Sequence, residues 1–103
     1  MTHKELFKIL KSSGLPVAYH HFRKATPPPL IVFKRIDNDN VVADNKIHVA
    51  FKNYRVELYT AEKSIELEEK IENIFTENEI VYEVDESYLE NEDIYEIIYY
   101  IQI

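Results

Sequence analysis

Leu6, Ile9 and Leu10 recur at helical spacing, with Phe7 beside them and Lys4, Lys8 and Lys11 elsewhere on the surface, so the chain opens on an amphipathic helix. Thr2-His3-Lys4-Glu5 has the residue types of a capping box, in which Thr2 accepts from the Glu5 amide and the Glu5 carboxylate reaches back. Gly14, the one glycine, follows Ser12-Ser13 and precedes Pro16, as a left-handed residue past a helix end does. The pattern predicts a helix over about 3–12.

Strand patterns follow. Val17 to Phe22 reads as a short strand, and Thr26-Pro27-Pro28-Pro29 as an exposed extended connection, since prolines cannot donate to a ladder. Leu30 to Ile36 is a β-branched and aromatic run, ended by the turn residues Asp37-Asn38-Asp39-Asn40. The stretch 41–49 is less regular and reads as a further strand interrupted by a bulge or turn. Asn53 to Thr60 alternates cleanly, with Tyr54, Val56 and Leu58 on one face.

Thr60 is placed to cap a second helix, Ala61 to about Glu77, with Leu67, Ile71, Ile74 and Phe75 as its apolar stripe and Glu62, Glu66, Glu69 and Glu77 facing away. Glu66 and Lys70 have the spacing of a favourable pair. Ile80 to Val84 resumes as strand, Glu90 to Asp93 turns, and Ile94 to Ile103 closes as a long strand, apolar on both faces, which calls for cover on both sides by helices or a partner. The expected architecture is a single domain over 1–103, α+β, with two helices packed on one mainly antiparallel sheet in the order α-β-β-β-β-α-β-β.

Composition narrows the chemistry. With no cysteine, disulfides and thiol catalysis are excluded, and one glycine leaves no phosphate-cradling loop. The opening MTHKELFKIL is too charged for a signal peptide and no apolar run approaches the roughly 18 residues that cross a bilayer, so a cytoplasmic protein is expected. Charge is divided along the chain. Residues 1–60 hold ten Lys or Arg against five acids, and residues 61–103 hold two Lys against fourteen acids. The halves carry +5 and −12 within a total of −7, which argues for a basic and an acidic side on one body.

No catalytic or metal-ligating set converges in the sequence. His20 and His21 point to opposite faces of a strand, His48 would need a nearby acid such as Asp44, and the acids after Asp85 lack the spacing of a calcium loop. No cofactor or metal is called for. Five of the eight tyrosines lie between Tyr82 and Tyr100, where they serve either a cross-strand cluster or an interface core.

Leu15 to Phe22, Pro28 to Phe33, Ala43-Asp44-Asn45, Tyr54 to Thr60 and Glu83 to Glu90 together resemble a family of small phage and prophage proteins. That family is encoded by tailed phages of Gram-positive bacteria, among head–tail connector and tail-completion genes. The resemblance spans nearly the whole chain, in strand and turn segments rather than catalytic signatures. It implies a non-enzymatic structural protein with an α+β fold, present in the host cytoplasm during assembly and then at the head–tail junction of the virion. It also implies a subunit that forms a ring, commonly a hexamer, with copies of itself and meets connector, adaptor and tail-tube proteins, without membrane or specific nucleic-acid partners.

Contacts in such an assembly are expected from exposed polar connections and from the two charged sides. The candidates are Arg23, Lys24, Lys34, Arg35, Asp39, Asp44, Lys46, Glu66, Glu69, Tyr88, Glu90 and Tyr100. The competing expectation is a small acidic module that binds or inhibits a basic host or phage protein through its acidic helix and hairpin.

Overall fold

The computed structural model describes the backbone of residues 1–43 and 45–103, and the side chains of these except 39–43 and 47–50. The predicted capping box is formed: Glu5 N donates to Thr2 Oγ1 and Thr2 N to Glu5 Oε1, each at 3.1 Å. The bonds from Thr2 hold the Glu5 carboxyl below its ordinary range. Helix α1 spans His3–Lys11 and buries Leu6 and Leu10. Gly14 follows at φ 86, a backbone that side-chain-bearing residues adopt only under strain, and redirects the chain into strand β1, Val17–Tyr19.

His20 takes φ 70 and ends β1 three residues earlier than the predicted Phe22. After the exposed connection comes β2, Leu30–Ala43, then β3, Lys46–Thr60, α2, Ile65–Glu77, β4, Tyr82–Leu89, and β5, Ile94–Gln102. The sheet order is β1-β2-β3-β5-β4, with β1 parallel to β2 and the other pairs antiparallel. The α+β class, with two helices on one mainly antiparallel sheet, stands as expected.

The predicted turn at Asp37–Asn40 is strand instead, and the stretch 41–49 is shared between the two arms of one hairpin. Among the described residues three strands therefore lie between the helices, and the sheet has five. Asx side chains bend a backbone when they bond to it locally. Here Asn38 Oδ1 instead accepts from Arg35 Nη2 at 2.7 Å, and Asp37 Oδ1 accepts across the ladder from Asn53 Nδ2 at 2.9 Å. The hairpin closes beyond the pair Ala43–Lys46, where Asn45 takes φ 59.

Two further boundaries move. Thr60 is buried as the last residue of β3, paired with Tyr95, and Ser64 caps α2 by accepting from Leu67 N at 3.3 Å. β4 runs past the predicted Val84 to Leu89 because it pairs with β5 along its whole length, and the hairpin turns at Glu90–Asp93 as the sequence requires.

Leu6 and Leu10 of α1 and Ile71 and Phe75 of α2 share one core with Ile31, Phe33, Tyr54, Val56, Leu58, Ile97, Tyr99 and Ile101. The registers place those strand residues on a single face of the sheet, so both helices cover the same side. Of the two kinds of cover expected for β5, helices supply one face only: Ile98 belongs to the face opposite both of them.

Candidate assembly surfaces

Alternation along the strands dictates what the helix-free face presents. The register aligns Lys34, Arg55, Tyr100 and Glu83 in one row across the sheet, Val32, Glu57, Ile98 and Asp85 in the next, and Leu30, Tyr59, Glu96 and Ser87 in a third. Arg55 ties the middle of this face together, with Nε 3.5 Å from Glu57 Oε2 and Nη2 3.9 Å from Glu96 Oε2. The Tyr59 hydroxyl donates to Glu96 Oε2 at 2.6 Å. Burial, and then that bond, push the Tyr59 hydroxyl far above its ordinary range. Glu57 is only 6% exposed, yet it sits on a face that no helix covers. The long side chains around it, Arg55 and Tyr59, supply both its cover and its polar partners.

The rows also carry a gradient of charge. From Tyr19 to Ile36 the sequence holds Arg23, Lys24, Lys34 and Arg35 and no acid, and these lie on β2 and the β1–β2 connection. From Glu79 to Asp93 it holds seven acids and no cation, and these lie on or beside β4. The sheet order puts β1 and β4 at opposite ends, so the division first visible along the chain becomes a polarity across the sheet. Lys63, just before the Ser64 cap of α2, reaches into the acidic end and pairs with Glu68 and Glu86, which leaves Glu83 and Asp85 with no cation among the described residues.

A second feature is the far half of the β2–β3 hairpin. β1 pairs with β2 only as far as Phe33, and β5 meets β3 from Asn53 onward, with one further backbone exchange between Lys52 and Ile103. The ladder from Asp39–Phe51 to Ala43–Lys46 is therefore a two-stranded ribbon that runs on past the other strands. Ile36, 47% exposed, is the extra residue of a bulge at its root, and a groove there is shared with Val81 and Tyr100.

The candidates read from the sequence are distributed over these features. Arg23 and Lys24 are exposed at the β1 end, while Lys34 and Tyr100 lie in the row through Arg55. Arg35 stands at the ribbon root and Lys46 at its far end. Tyr88 and Glu90 are exposed on the acidic hairpin, where the Tyr88 hydroxyl bonds to Asp93. Glu66 and Glu69 are exposed on α2, apart from the sheet, and the expected Glu66–Lys70 pair is not formed. The side chains of Asp39 and Asp44 lie outside the described residues. Sequence reading passed over Glu83 and Asp85 as assembly candidates, and over Tyr19. Their signal was the exposed alternation of an acidic strand, and its use depends on which strand ends the sheet.

Of the histidines, His3 packs its ring 4.9 Å from that of Tyr19, as an ordinary structural side chain. Among the described residues no group of three or more His, Asp or Glu comes together as metal ligands, and no helix is long and apolar enough to cross a membrane. No family model and no curated protein matches the chain.

Proposed function

We propose that this chain is a structural subunit of a tailed-phage or prophage particle, one that completes the tail or joins it to the head by assembling with copies of itself at the connector. The observation that carries this reading is the polarity of the sheet, with a basic β1 end and an acidic β4 end on opposite sides of one small domain. Two different, complementary ends favour a head-to-tail contact, and head-to-tail contacts close into rings when their rotation closes. The projecting ribbon adds a segment long enough to reach a neighbouring protein of the junction. Charge of this kind guides orientation at about 0–1 kcal/mol per exposed pair, so the subunit stays dispersed until its docking site concentrates it.

The test is genetic. Deleting the gene from an inducible prophage is expected to leave filled heads and finished tails that fail to join or carry unfinished ends, seen by electron microscopy and restored by complementation. Normal joined particles from the deletion strain, together with a tight complex between the chain and a basic host protein, would replace this reading with that of an acidic inhibitor.

A further inference from the structure

β4 is a regular edge. It pairs with β5 over all eight residues without a register shift, contains no proline or lysine, and has no other strand beside it among the described residues. Sheet edges are ordinarily blunted by bulges, prolines or charged side chains, lysine above all, to keep other chains away. Here the charges of the outer strand are all acidic, Glu83, Asp85 and Glu86, which admits a basic partner, and Val84 and Tyr88 are about half exposed beside them. Two such acidic edges repel each other, which disfavours two-fold pairing of β4 with itself.

We infer that β4 of one copy receives the β1 end of the next, so that the sheet continues from subunit to subunit; this rests on the assembly role proposed above. Direction is fixed by the topology. β5 runs parallel to β2 and β1, and β4 runs against β5, so copies related by rotation about an axis along the strands meet with β4 and β1 antiparallel. Facing parity narrows the register. Val17 and Tyr19 pair with Ile31 and Phe33 on the helix-covered face, and Tyr88 pairs with Tyr95 on the same face as Tyr82 and Val84. Tyr19 opposite Tyr88 keeps the faces aligned and joins two exposed aromatic rings. The basic segment that follows β1 is then set against the acidic strand, and Lys24 and Glu83 are the pair through which the contact is tested. Because His20 breaks β1 with its φ of 70 and β4 ends at Leu89, the ladder is confined to Ala18 and Tyr19 against Leu89 and Tyr88, and Arg23 and Lys24 act through charge. A two-residue ladder with a few exposed charge pairs is weak, as suits a subunit that must not polymerise before it docks.

Lys24 and Glu83 are exposed, form no ion pair among the described residues, and belong to a chain without cysteine, so each can be replaced singly without disturbing the core. Purified K24C and E83C are mixed at concentrations where the native chain self-associates, and disulfide-linked dimers are counted after mild oxidation. Cross-linking in the mixture is expected to exceed either variant alone by about tenfold, and R23E/K24E is expected to lose self-association that an equal mixture with E83K/D85K restores. Equal cross-linking in all three samples, no cross-linking while the chain self-associates, or no restoration in the charge-reversed mixture would overturn the contact. Those outcomes leave the proposed role standing if the deletion strain still fails to join heads to tails; joined particles from that strain would remove the role whatever the cross-links report.

Discussion

The Tyr99 hydroxyl donates to Glu72 Oε2 at 2.8 Å and so pins the middle of β5 to α2. Tyr99 is fully buried, and the other Glu72 oxygen accepts from Tyr82 at 3.2 Å, so one carboxylate holds two strands of the acidic end under the helix. Phe75 packs edge-on against Tyr99 with ring centroids 5.5 Å apart. Replacing Tyr99 by Phe keeps the ring packing and removes the donor. Because the acceptor is charged, the expected loss is about 1.5–3 kcal/mol, read as a lower urea midpoint with an unchanged slope.

Alkaline pH acts through the same tyrosines. Burial raises the Tyr99 hydroxyl above its ordinary value of 10.0, with the bond to Glu72 adding to it, and burial and Glu96 do the same for Tyr59. Above that ordinary value the unfolded chain releases these protons while the folded chain keeps them. The folded state then binds more protons, so stability is fully present below about pH 10 and falls as pH rises further. Y59F/Y99F is expected to flatten this alkaline decline in thermal melts taken across the range, although it lowers stability at neutral pH. An unchanged alkaline slope would sink the assignment.

Local chemistry was legible in the sequence where it acts locally. The Thr2–Glu5 capping box, the Leu6 and Leu10 face of α1 and the Ile71, Ile74 and Phe75 stripe of α2 all depend on neighbours within about one helical turn. The β2–β3 hairpin was not legible, because Asp37 and Asn38 carry turn propensity, and only pairing with residues sixteen or so positions away, such as Asn53, holds them extended. The division of charge was visible at once. Its placement at the two ends of the sheet rests on β5 inserting between β3 and β4, which no local pattern encodes. For that reason Arg23 and Lys24 stood out as candidates while their proposed counterparts, Glu83 and Asp85, did not.

Asn45 sets the far end of the ribbon. At φ 59 it occupies the left-handed region, where Asn and Gly are tolerated and a β-branched residue is strained by about 1–2 kcal/mol. Asn45→Gly is expected to leave the fold and self-association intact. Asn45→Val is expected to loosen the ribbon while the helix-covered core stays folded, measured as faster amide exchange in 39–51 with unchanged protection in β5. Equal exchange in both variants would mean that Asn45 does not govern the ribbon.

Arg55 is the counterpart of two carboxylates on the helix-free face, Glu57 and Glu96, whose side chains are 8% and 12% exposed. Arg55→Met preserves much of the aliphatic cover and removes the cation, leaving two shielded negative groups near each other and near Tyr59. Since the guanidinium itself is partly exposed, the expected cost at neutral pH is about 1–3 kcal/mol, below that of breaking a fully buried pair. Adding E57Q to R55M should remove the cost in large part, because it takes away one of the two negative charges that Arg55 faces. If R55M instead melts like the native chain at pH 7, the Arg55 pairs hold no part of this face together, and its order comes from the Tyr59–Glu96 bond and the packing of Val32 and Ile98.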